Sequence, residues 1–204
     1  ILVALMVVKF GGVSIEDFGE LVSDERLHLG IFSILVSVFA IVGVINSMNF
    51  SDGIDGMSAS LSLVTFTSIA FFAYGFNENH ALEFVLLFIF AIMAFLIFNL
   101  GLFIGSRFKI FMGDAGSTFL GFGIAWSLIS FSQGGDLIFS PVVALWIFAI
   151  PLIDTIFVMI RRVLHGKSPF TPDRSHLHHF FIFYGFSDRQ TLGIIFIMSI
   201  TMAS

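Results

Sequence analysis

Two carboxamides, two carboxylates and two glycines crowd into Asn46-Ser-Met-Asn49-Phe-Ser-Asp52-Gly-Ile-Asp55-Gly56, at the point where a long apolar run ends. Such side chains are hard oxygen ligands, suited to Mg²⁺ and to sugar or phosphate groups. Asp52 and Asp55 are three residues apart, so a helical turn would aim both the same way. The flanking glycines would let backbone approach a ligand closely. A helix cap would use one such residue, not four.

Two further stretches carry polar chemistry. In Phe111-Met-Gly113-Asp114-Ala-Gly116-Ser117-Thr118 the glycines read as a tight entry to the next apolar helix, with Ser117 as its N-cap. A helix N-terminus there would favour a phosphate. Asp114 alone could be a turn aspartate; beside the first stretch it reads as a metal ligand. In Ser168-Pro-Phe-Thr-Pro-Asp173-Arg174-Ser-His176-Leu-His178-His179, three histidines and an arginine gather. Zn²⁺ is one reading, but His176 and His178 at i, i+2 would diverge on a helix, and the chain has no Cys. Binding of a diphosphate by Arg174 and imidazoles suits the stretch better. A basic segment drawn to anionic lipid is the bland alternative.

The elements that must hold these residues are membrane helices. The chain is 57% hydrophobic and 11% charged, against about 25% charged in soluble domains, and holds 29 Phe. Its solvent is a lipid bilayer. Apolar runs near 29–48, 58–76, 82–104, 118–135 and 141–160 predict five spans, with partial ones at 1–8 and from 191 onward. The runs lack the alternation of barrel strands, so the expected fold is all-α: a polytopic bundle forming one membrane domain over 1–204. Ile1 and Ser204 both lie in apolar runs, and the chain reads as an internal piece of a longer protein. No basic stripe suited to nucleic acid is present. The residues leave the oligomeric state open, a dimer included.

Charge predicts orientation. Seven of the nine basic residues (Arg107, Lys109, Arg161, Arg162, Lys167, Arg174 and Arg189) lie in connections on one side, whereas Glu16, Asp17, Glu20, Asp24, Glu25, Glu78, Glu83 and Asp136 mark the other. The positive-inside rule makes the basic side cytoplasmic. All three polar stretches fall there, which predicts a single cytoplasmic site. Asp154, about seven residues before Arg161, lies inside the bilayer and is expected to support that site. Asn99, ending an apolar helix, either caps it or touches a ligand. A transporter is the competing class, but transporter sites usually lie near the bilayer midplane, often between repeated halves, and no repeat is visible.

Taken together and in this order, Asn-x-x-Asn-x-x-Asp-Gly-x-Asp-Gly (46–56), Phe-Met-Gly-Asp-Ala-Gly-Ser (111–117) and Pro-Asp-Arg-Ser-His-Leu-His-His (172–179) resemble the polyprenyl-phosphate N-acetylhexosamine-1-phosphate transferases, the glycosyl transferase family 4 membrane enzymes. The Asp-Arg-x-His-x-His-His form is similar to the branch that uses UDP-GlcNAc. The resemblance implies that a polyprenyl (undecaprenyl) phosphate attacks the β-phosphorus of a UDP-sugar. The products are polyprenyl-diphospho-sugar and UMP, in the first membrane step of cell-envelope polysaccharide synthesis. It implies Mg²⁺, with Mn²⁺ as an alternative, held by Asn49 and Asp114, and a location in the cytoplasmic (inner) membrane. Asp52, Asp55 and Asp114 are the implied catalytic acids, and Asp55 is also placed at the nucleotide. Arg174, His176, His178 and His179 match the sugar-diphosphate loop, with Asn46, Asn99 and Phe111 as further substrate-binding candidates. The family also carries an Asp-Asp pair in an earlier loop; none occurs here, and it is expected upstream of Ile1.

Overall fold

The computed structural model describes residues 1–19, 26–102, 106–134, 137–169 and 176–204. Among these the chain is a helical bundle, with α1 (Leu2–Phe10), α2 (Ser33–Phe50), α3 (Met57–Gly75), α4 (Asn79–Asn99), α5 (Gly113–Ser132), α6 (Pro141–Ile147), α7 (Ala149–Leu164), α8 (Leu177–Phe183) and α9 (Asp188–Ala203). In hydrocarbon the backbone must satisfy its own hydrogen bonds, so apolar runs of this length become helices. Four are long and apolar enough to cross a membrane: Gly30–Phe50, which adds a 3₁₀ turn to α2, then α3, α4 and α5. The protein is therefore a multi-pass membrane protein with the all-α fold expected.

The expected span at 141–160 is a bent pair rather than one straight helix. It is two helices, α6 and α7, meeting at 82° across Phe148. Pro151 explains the break: it has no N–H for the carbonyl four residues back, at Ile147, and its ring crowds that carbonyl. Boundaries also shift. The third span runs Asn79–Asn99 rather than 82–104, and the fourth begins at Gly113 rather than 118. Ser117 is thus not an N-cap but lies buried inside α5, whose N-cap position is Met112. Asp114 joins the first turn of that helix, where an acid complements the exposed amides. Helix α9 starts earlier than 191, on a capping box between Ser187 and Gln190.

Helix α3 is central, packed on α4, α5, α6 and α9. Phe66, Ile69, Val85, Ile124, Phe148 and Ile195 are fully buried around it, and Phe66 stacks on Phe88 at 4.5 Å. Helices gain little hydrophobic energy by leaving lipid for one another, so close packing carries the association. The α2–α5 contact shows this: a Cβ on Gly121 would stand 2.8 Å from Ile45 Cα. A second contact ties α2 to the bent helix, where Ser47 Oγ donates to the Pro151 carbonyl at 2.6 Å. These two contacts set the place of the last turn of α2, which carries Asn49.

Candidate active site

The tight α2–α5 seam brings two sequence-distant candidates together. Asn49 Nδ2 donates to Asp114 Oδ1 at 3.4 Å and to Ser117 Oγ at 3.1 Å. Asp114 is exposed and Asn49 half-buried, so both face a space a ligand can enter.

Residues 51–56 form turns and bends rather than a helical turn, which corrects the expectation that Asp52 and Asp55 act as a parallel pair. Asp55 pairs with Lys109 at 2.7 Å, linking the first polar stretch to the segment before α5. Asp52 lines a cavity on the other side. Its carboxyl is held above the usual range, first by burial and then by the charges of Asp114 and Asp55. The second part of that effect, the mutual repulsion of neighbouring carboxylates, favours a cation here.

The third stretch closes that cavity. His176 precedes α8 in extended backbone, and its ring lies parallel to that of His178, 5° apart in plane at 6.1 Å. The divergence expected for i, i+2 on a helix does not occur, because His176 is not yet on the helix. His176 Nδ1 donates to Asp154 Oδ2 at 2.9 Å, and the Leu177 amide donates to Asp154 Oδ1 at 2.8 Å. His178 is 2% exposed and its Nε2 has no hydrogen-bond partner. Burial, then the neighbouring His179 and His176, pull its pKa down to about 4. His178 is therefore neutral near pH 7, and would meet a ligand as an uncharged imidazole.

The cavity is about 210 Å³, lined by Asn49, Phe50, Asp52, Gly53, Arg162, His176, His178 and His179. All three polar stretches meet at one end of the bundle. Arg174 lies outside the described residues. Arg162 stands in the cavity wall, 3% exposed, with Nη1 donating to the Pro169 carbonyl at 2.7 Å.

The remaining candidates sit at the edges. Asn99 is buried and its Nδ2 donates to the Ile110 carbonyl at 2.8 Å, bracing the backbone beside Phe111, while its Oδ1 has no partner. The Phe111 ring is 76% exposed. Asn46, one turn before Asn49, is exposed and donates back to the Val42 carbonyl at 2.7 Å. Sequence reading missed Arg162, Phe50 and Lys109 as site residues. Arg162 and Lys109 counted only as interface charge; an arginine in the last turn of a helix next to the histidine stretch was the one available signal.

For a metal, Asn49, Asp114 and Asp52 offer hard oxygens in one region. Among the described residues no three His, Asp or Glu side chains converge to enclose an ion alone. Mg²⁺ asks less, since one or two carboxylates plus water and substrate phosphate oxygens commonly hold it. The donor set fits that mode.

The fold and this site define a polytopic membrane protein with an acidic, histidine-walled polar pocket at one end of its helices. The glycosyl transferase family 4 model matches residues 1–132, and the chain belongs to that family. It is 38% identical over 202 residues to the undecaprenyl-phosphate alpha-N-acetylglucosaminyl 1-phosphate transferases of Escherichia coli K12 and of Yersinia pestis, covering 99% of this chain and 55% of each relative. The enzyme of that name from Haemophilus influenzae is 38% identical over 203 residues, covering 100% of this chain and 57% of the relative. The chain thus spans about half the length of these relatives.

Proposed function

We propose that this protein transfers GlcNAc-1-phosphate, or a related N-acetylhexosamine-1-phosphate, from a UDP-sugar to polyprenyl (undecaprenyl) phosphate. It works in the cytoplasmic membrane with its site open to the cytoplasm. An oxygen of the lipid phosphate attacks the β-phosphorus, the bond from that phosphorus to the bridging oxygen breaks, and UMP leaves. The observation that carries the reading is the convergence of Asn49 and Asp52 with the histidines 176, 178 and 179 in one pocket at the end of membrane helices, with Asp114 beside it on Asn49. The names of the relatives point to the same donor fragment and acceptor.

The chemistry asks mainly for positioning and charge neutralisation. Asn49 and Asp114 would hold Mg²⁺, which when bound supplies positive charge to the diphosphate oxygens. Asp55, paired with Lys109, is assigned to the nucleotide by its motif. Arg162 lines the pocket as a cation for the diphosphate, His176 lines it with Nε2 as an acceptor for a hydroxyl or N–H of the donor sugar, and Arg174 is assigned to the sugar diphosphate by its motif. His178 contributes as a neutral imidazole.

The test is transfer of label from UDP-GlcNAc into a polyprenyl lipid by membranes carrying the full-length protein. Label appearing only with polyprenyl phosphate present, with UMP released in equal amount, is expected. Membranes that contain the protein yet yield no labelled lipid would remove the proposal.

A further inference from the structure

Both oxygens of Asp154 are committed. Oδ2 accepts from His176 Nδ1 at 2.9 Å, and Oδ1 accepts from the Leu177 amide at 2.8 Å. The partners are more than twenty residues away in sequence, on the far side of the connection that follows α7, so this contact exists only in the fold. A carboxylate can only accept hydrogen bonds, so His176 Nδ1 must carry the proton. Nε2 is then unprotonated and left as an acceptor for a sugar hydroxyl or N–H in the cavity that the ring lines. The ring has little freedom to turn, being 5% exposed, 5.3 Å from Phe50 and parallel to His178. The Leu177 amide is one of the first-turn amides that α8 itself cannot pair. Asp154 therefore holds the start of the helix that bears His178 and His179 as well as the His176 ring. It reaches them from one turn past Pro151, the residue that bends this span.

We infer that Asp154 is a positioning residue: acting through His176, it fixes which ring nitrogen faces the pocket and anchors the histidine wall against α7. The inference rests on the reading above that this wall receives the sugar diphosphate. Asp154 touches no substrate in this assignment. Its effect passes through an imidazole, so removing the imidazole should remove the effect.

A double-mutant cycle on the full-length protein tests it. Asp154→Asn keeps an oxygen for the Leu177 amide but presents N–H to His176 Nδ1, which forces the other tautomer. The expected result is a KM for UDP-GlcNAc raised about tenfold with kcat changed far less. In a His176→Ala background the same substitution should add nothing. An unchanged KM for Asp154→Asn, or an equal fold-loss in both backgrounds, overturns the inference. If Asp154→Asn does not accumulate in membranes, Asp154→Glu carries the same cycle, since it keeps the charge and displaces it by one methylene. The cycle can also be read without turnover, by thermal unfolding of the purified protein. There coupling between positions 154 and 176 is expected and simple additivity overturns the contact. Absence of activity in the wild type would instead sink the proposed function, while leaving the thermal cycle to decide this inference.

Discussion

The backbone at Gly53 lies so close to the His178 imidazole that a Cβ there would overlap the ring at Nε2, Cε1 and Cδ2. The first and third polar stretches are thus in direct contact, with no room for one further carbon. His178 cannot swing away, because it is 2% exposed and its ring packs on His179 at 4.1 Å.

Gly53→Ala should therefore displace the histidine wall. Overfilling of this kind costs about 1–3 kcal/mol. The expected outcome is a protein that still inserts, unfolds at lower temperature and needs more UDP-GlcNAc to reach half its maximal rate. Steady-state kinetics beside a thermal melt check it, and wild-type values in both would show that the contact is slack.

Asp52 makes a stability prediction of definite sign. Its folded pKa lies above the ordinary carboxylate value of 3.8 through burial, then Asp114, then Asp55. The folded state therefore holds the proton more tightly than the unfolded state, and this group's contribution to stability falls as pH rises from the ordinary carboxylate value through the raised one. At neutral pH the charged form opposes folding. Asp52→Asn should raise the melting temperature at neutral pH, with the gain shrinking as the buffer is acidified toward the range where both states are protonated. Activity should fall in the same variant. A melting temperature lower than wild type at neutral pH would contradict the electrostatic account.

For His178 the sign is reversed. Its folded pKa of about 4 lies below the ordinary imidazole value of 6.5, so the unfolded state takes up the proton first as pH falls. Stability from this residue is complete above pH 6.5 and is lost as pH drops toward about 4. Wild type should thus lose melting temperature between about pH 7.5 and about pH 5 by more than His178→Gln, whose amide does not titrate. Parallel losses in the two proteins would place the acid sensitivity elsewhere.

Asp114 is predicted to be the main Mg²⁺ ligand with Asn49 as its partner, on the 3.4 Å contact between them. Asp114→Asn should abolish turnover while the protein still accumulates in membranes, and Asn49→Ala should raise the Mg²⁺ concentration needed for half-maximal rate. Wild-type turnover and Mg²⁺ response in Asp114→Asn would move the metal to other residues.

Orientation is open to direct labelling. The exposed Ser168 lies in the connection after α7, on the basic side expected to be cytoplasmic. In a Cys-free background, Ser168→Cys should resist an impermeant thiol reagent in intact cells and react once the cells are opened. Reaction in intact cells would invert the topology.

The helical class, the membrane solvent and the polar stretches were legible in the sequence because each depends on local composition. A run such as Ile34–Ile45 has no stable state in hydrocarbon except a helix, and a cluster such as Asn46–Gly56 has no cause in a plain linker. The meeting of these stretches at one end was also legible, since alternating spans return every second connection to the same side. Other features waited on the tertiary structure because they depend on distance between residues far apart in sequence. The 82° bend at Phe148 depends on Pro151 acting inside a run that reads as one span. The turn at 51–56 turns Asp55 toward Lys109 and leaves Asp52 in the cavity, where a helical spacing argument had aimed them together. His176 and His178 face the pocket in parallel because Asp154, on another helix, holds one ring and the first amide of α8. Residue types named the chemistry, whereas only packing decided which carboxylate is paired, which is crowded, and which imidazole is too deeply buried to carry charge.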